Sequence, residues 1–170
     1  GGDPAALLAA LLAGLDGALD DLIAMRAAEG AAIAAVIAGQ IDRIEALVTE
    51  AVLAAEARRG ESARVLRENL ARVMAGAQAD PDRVAQELAL MVVKADVTEE
   101  LDRLGAHIAA ARALLSEKGA VGRKFDFLMQ EFMREANTLC SKSGNVALTR
   151  IGLDLKTVID QMREQVQNVE

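Results

Sequence analysis

Apolar residues recur at helical spacing along nearly the whole chain, and no stretch alternates with the period of two that a half-buried strand requires. From Leu19 to about Ala57, the positions Leu22, Met25, Ile33, Val36, Ile37, Ile41, Ile44, Val48 and Val52 keep that spacing without a proline. This predicts one helix about 55 Å long at 1.5 Å per residue, longer than a compact domain needs. Asp3-Pro4 supplies an acid cap and a first-turn proline for an earlier start. Gly30 and Gly39 each cost about 1 kcal/mol relative to alanine inside a helix, so either is a candidate bend or close crossing. Arg58-Arg59-Gly60-Glu61-Ser62 reads as a turn, with Ser62 capping a helix to about Ala77 and Asp80-Pro81 starting the next. Asp96-Val97-Thr98 interrupts that helix, a further one runs to about Lys118, and Gly119 to Gly122 forms another break.

The segment Gly122 to Ser143 carries two faces. Phe125, Leu128, Met129, Phe132, Ala136 and Leu139 form one apolar stripe, while Arg123, Asp126, Gln130, Arg134 and Asn137 align on another face. Glu131, Glu135 and Lys142 are expected between them on the far side of the cylinder. After a polar turn at Ser141-Lys142-Ser143-Gly144-Asn145, the residues Leu148, Ile151, Leu155, Val158, Met162, Val166 and Val169 give a near-heptad seam that calls for another helix. The expected architecture is all-α, a long antiparallel helical hairpin arm (15–95) joined to a compact helical bundle body (96–170). Residues 1–14 read as an expression remnant and helix lead-in.

Composition agrees with helices. Hydrophobic residues make up 52% of the 170 positions but aromatics only 2%, with no Trp or Tyr, so the core must be built from Ala, Leu, Val, Ile and three Phe. A helical layer with close contacts suits those side chains better than a sheet sandwich. The single cysteine, Cys140, excludes an intramolecular disulfide, suits a reducing cytoplasm and reads as a small packed hydrophobe. The apolar string Ala5 to Leu15 lacks a basic flank and falls short of the ~20 residues a bilayer requires, so no membrane role is expected. A net charge of −7 argues against holding RNA by bulk electrostatics. Residues 121–170 nevertheless balance seven basic against seven acidic side chains, which leaves the excess negative charge in the first 120 residues.

Candidate chemistry falls in two places. Around the stripe Val97, Leu101, Leu104, Ile108, Ala111 and Leu115 stand Asp96, Glu99, Glu100, Arg103 and the only histidine, His107, at spacings of three, four and seven. Carboxylate oxygens suit hard cations such as Mg²⁺ or Mn²⁺, imidazole is acceptable to Mn²⁺, and His107 is able to act as general acid or base near neutrality. The same spacing equally suits an ordinary Glu99–Arg103 salt bridge and a half-buried, satisfied histidine. In the second segment, Arg134, Asn137 and Lys142 are candidate phosphate or base contacts, and Glu131 and Glu135 candidate metal or water contacts. An interhelical network that fixes register is the competing reading. Arg58, Arg59, Arg64, Arg67 and Arg72 form either a basic strip at the arm's tip or a solvated face among interspersed Glu. No Walker-type loop, paired CxxC or Ser-His-Asp pattern is present.

The runs GRKFDFLMQEFMREANTLCSKS, IDQMREQVQNVE and VKADVTEELDRLGAH resemble the C-terminal half of the YicC/YloC family of bacterial endoribonucleases, over roughly Leu15 to Glu170. In that family the helical half follows an N-terminal domain opening with a Met-Thr-Gly-Phe-Gly type of motif, so the chain is expected to be a C-terminal region. The resemblance implies cleavage of single-stranded RNA with Mn²⁺ or Mg²⁺ by a homo-oligomer, a ring of six. The expected site comprises Glu99, Glu100 and His107 in catalysis, Asp96, Glu100, Glu131 and Glu135 on metal, and Arg103, Arg123, Arg134, Asn137 and Lys142 on RNA. Met133 stands where the family pattern carries Asn. Two rivals are a non-catalytic helical oligomerisation module and an RNA clamp, either with its chemistry in the N-terminal domain.

Overall fold

The computed structural model describes residues 3–76, 80–117, 119 and 121–168, with the side chains of 73, 74 and 76 outside that description. It contains five helices, α1 (Pro4–Gly76), α2 (Pro81–Ala95), α3 (Thr98–Ser116), α4 (Gly122–Lys142) and α5 (Val146–Gln167), and no strand among the described residues. The expected all-α architecture holds. The expected helix limits at Ala77 and Lys118, and Val169 of the final seam, lie outside the described residues.

The body is a four-helix bundle in which the middle of α1 packs against α3 and α5, and α4 closes the ring against the same two helices. Its core is continuous. Ile37, Ile41, Ile44, Leu47, Val48, Ala51 and Ala55 of α1 meet Leu101, Leu104, Ile108 and Ala111 of α3 and the entire expected stripe of α4, from Phe125 to Leu139. Leu148, Ile151, Leu155, Ile159, Met162 and Val166 complete it from α5, where Ile159 is fully buried and Val158 only partly so. Small residues bring α4 and α5 close together. A Cβ built on Gly152 would stand 2.5 Å from Cys140 Sγ, so this crossing admits hydrogen and nothing larger.

One expectation fails in α1. Arg58 to Ser62 does not turn; the helix runs unbroken through Gly60, Gly30 and Gly39, for 73 residues or about 110 Å. The local cause is on the exposed face, where Arg64 pairs with Glu61 at 2.6 Å and Glu68 at 2.7 Å and so spans the glycine's flank with i,i+3 and i,i+4 contacts. α2 starts after Asp80, whose carboxylate accepts from the Asp82 N–H with Pro81 in the first turn, as the sequence predicts. The hairpin arm therefore pairs the last third of α1 with α2, and α2 buries none of its residues fully.

The start of α1 stands outside the bundle core. Every described side chain from residue 3 to 32 is exposed, including Leu8, Leu12, Leu15, Leu19 and Leu22 at alternating spacings of four and three. α1 is also long and apolar enough, by length and composition alone, to cross a membrane.

Arg58 joins the arm to the body. Its guanidinium donates to the carbonyls of Lys142 at 2.7 Å and Ser143 at 2.5 Å, and to the carbonyl of Ala95. Those carbonyls end α4 and α2, where backbone acceptors have no partner within their own helices and the dipoles turn negative end outward. Partial burial pulls the Arg58 pKa below its usual value, with Asp96 opposing the shift.

Candidate functional site

α3 and α4 lie side by side, and a group of charged side chains occupies the seam between their apolar stripes. On α3, Glu100 is three residues before Arg103 and seven before His107, which places all three on one side. On α4, Glu135 lies seven residues after Leu128 and so falls back onto the buried stripe. Glu100 and Glu135 are 2% and 4% exposed, the only buried carboxylates among the described residues. The expectation that Glu135 faces the far side of the cylinder is thus corrected.

Arg103 organises the seam. Its Nε is 2.9 Å from Glu135 Oε1, its Nη2 is 3.3 Å from Glu100 Oε1, and its Nη1 pairs with Glu99 Oε1. Glu135 first and Glu99 after it raise the Arg103 pKa above its usual value against the cost of desolvation. Lys142, the last residue of α4, places Nζ 2.8 Å from Glu100 Oε1. Each buried carboxylate consequently has a counter-ion on one oxygen, as burial of charge demands. The other oxygens are different. Glu100 Oε2 and Glu135 Oε2 are buried without a hydrogen-bond partner, and so is His107 Nε2.

His107 closes the site from α3. Its ring meets Phe132 edge-on, with centroids 5.6 Å apart and planes at 66°, which restrains the imidazole. One ligand atom each from His107, Glu131 and Glu135 lies within 4.8 Å of the others. Glu131 is half-buried at the outer edge of this triad, and its Oε2 is 4.0 Å from Arg134 Nη1 on the open surface. An imidazole nitrogen with two carboxylate oxygens, two of the three donors buried and unpartnered, is a donor set able to hold a divalent cation.

The other expected residues are placed elsewhere. Asp96 accepts from the Thr98 N–H at 3.0 Å and its hydroxyl at 2.7 Å, bonds that start α3 and hold the Asp96 pKa below its usual value. Glu99 is exposed and paired within its helix to Arg103. Arg103 and Lys142, expected on RNA, are engaged by the buried carboxylates, whereas Arg123, Arg134 and Asn137 are exposed. Met133 is partly buried against the core. The arginines of α1 do not form a strip: Arg58 is tied to three carbonyls, Arg64 to two carboxylates and Arg67 to the Ala63 carbonyl. The expected site already held His107, Glu131 and Glu135 together with Asp96, Glu99 and Glu100; which of them converge was not legible, because no spacing within one helix reports which turns of two helices face each other.

Comparison with known proteins fits this arrangement to a family. Residues 48–170 match the family described as endoribonuclease YicC-like, C-terminal. Over 155 residues the chain is 45% identical to a protein named probable endoribonuclease YicC from Haemophilus influenzae, covering 88% of this chain and 52% of that protein. A protein of the same name from Clostridioides difficile is 40% identical over 91 residues, which is 54% of this chain and 31% of that protein. The chain thus spans about half the length, or less, of these curated relatives.

Proposed function

The chain belongs to the YicC-like endoribonuclease family as its C-terminal region, and from that premise we propose that the whole protein cleaves single-stranded RNA with a divalent cation held by His107, Glu131 and Glu135. The observation that carries this reading is the triad itself, in which His107 Nε2 and Glu135 Oε2 are buried without a hydrogen-bond partner. Mn²⁺ suits the set better than Mg²⁺, because an imidazole nitrogen is a poor ligand for the harder ion. A cation there would supply polarisation of a phosphoryl oxygen and a more acidic bound water.

The chain's own residues do the rest. Arg103 pairs with Glu135 through Oε1 while Oε2 stays buried without a partner, the kind of support that a ligating carboxylate requires of its neighbours. Lys142 and Arg103 together hold Glu100 in place, which keeps the seam ordered beside the triad. Glu131 and Arg134 form the solvent edge, where a phosphodiester would meet the triad with a guanidinium beside it. In this reading Asp96 and Glu99 shape α3 and do not touch RNA. The protein works in the cytoplasm as a homo-oligomer, a ring of six, for which the exposed apolar face at the start of α1 offers contact surface.

His107→Ala and Glu131→Gln test the proposal. Each should lower Mn²⁺-dependent cleavage of an unstructured RNA by more than about 100-fold, beyond what loss of a supporting residue causes. Calorimetric Mn²⁺ binding should fall in parallel while the circular-dichroism melt stays in place. Cleavage at the parent rate in both variants would remove the triad from the reaction.

A further inference from the structure

On the far side of α4 from Glu100, a groove of about 430 Å³ runs between α4 and α5. Met129 and Ile159 form its floor, Met133 one wall, and Gln130, Arg134, Asn137 and Arg163 reach its rim. Resting on the ribonuclease reading above, we propose that this groove is the subsite for one nucleotide of single-stranded RNA next to the cleavage position, with Arg163 of α5 as a substrate-binding residue.

Four observations support it. First, most of the basic groups near the seam are already engaged: Arg103 and Lys142 by buried carboxylates, Arg58 by carbonyls. The two rim arginines are only loosely held. Arg134 and Arg163 each stand 4.0 Å from a carboxylate, Glu131 and Asp126 respectively, with side chains 74% and 51% exposed. Exchanging such a contact for a phosphate oxygen has little cost, and the guanidinium fork matches that oxygen pair.

Second, the groove and the triad are neighbours across the exposed back of α4: Arg134 of the groove pairs with Glu131 of the triad, so a strand leaving the groove reaches the triad by passing over Arg134. Third, the lining chemistry is that of a base site, with two methionines and an isoleucine below and two carboxamides, Gln130 and Asn137, beside them. Asn137 and Gln130 present both donors and acceptors, as a base edge does, and an arginine plane stacks on any base. Fourth, the volume is in the range that binds a small ligand and is too small for a folded partner element.

The experiment measures binding of labelled oligouridine and oligoadenosine in EDTA, where cleavage is suppressed, across a salt series. Arg163→Ala and Arg134→Ala should each weaken binding about tenfold and lower the salt slope by about one unit. Asn137→Ala should reduce the difference between the two oligonucleotides, which a phosphate contact alone would leave unchanged. Arg150→Ala, at an exposed arginine outside the groove, should bind as the parent does. Equal losses in Arg150→Ala and the groove variants would mean diffuse attraction and would overturn the subsite. Parent-like binding by Arg134→Ala and Arg163→Ala, with cleavage still abolished by His107→Ala, would overturn the subsite and leave the triad standing. No binding by the parent protein would remove both.

Discussion

At the scale of single residues, the two buried carboxylates set the sharpest energetic demands. Glu100 is held between Lys142 and Arg103. Lys142→Ala should cost about 2 kcal/mol in urea unfolding, because buried Glu100 is left with Arg103 alone, which Glu99 and Glu135 share. Glu100→Gln should cost less, since it removes the charge along with the partner. Asp96 gives a pH signature. Its folded-state pKa lies below the unfolded value, so its contribution is complete above the unfolded pKa and is lost as pH falls through the folded one. Asp96→Ala should therefore cost about 1 kcal/mol at pH 7 through the lost Thr98 bonds, and the gap to the parent should narrow below about pH 4. Much of this was readable beforehand. Spacings of three and seven on α3 put Glu100, Arg103 and His107 together, whereas Glu135 was expected on the far side of α4 although it lies seven residues after buried Leu128. Its polarity pointed to water, but a guanidinium on the neighbouring helix decided its side.

At the scale of elements, α4 and α5 follow their periodicity closely because each has one apolar stripe and a bundle to bury it in. α1 does not yield its ends so easily. Gly60 with polar neighbours looks like a turn, and the cost of one glycine is small against the helix formers and ion pairs around it. Two substitutions probe element contacts. Gly152→Ala should destabilise the body by about 2 kcal/mol through overpacking against Cys140. Adding Cys140→Ala should recover part of that loss, a coupling that a double-mutant cycle in urea would measure. Arg58→Ala should open the ends of α2 and α4, seen as faster amide hydrogen exchange confined to residues near Ala95 and Ser143.

At the scale of the whole molecule, the core begins near Ile33, so a chain lacking residues 1–28 should keep the urea midpoint of the full chain. If the exposed leucines of the overhang hold copies together, the same deletion should shift the sedimentation profile toward smaller species. An unchanged profile would place self-association elsewhere. Which helix neighbours which was not legible, since similar stripes on α1, α3, α4 and α5 admit several bundle orders.

The unbroken α1 has a mechanical corollary. Its overhang, its core segment and its half of the hairpin share one axis, so a grip on either extremity acts as a torque on the other, with the bundle as fulcrum. Over the roughly 45 Å of the overhang, a tilt of about 10° would sweep the free tip by about 8 Å. Spin labels at Glu29 and Glu56 should report a single narrow separation near 40 Å, the signature of a stiff lever; a broad distribution would indicate a joint within α1 between the two labels.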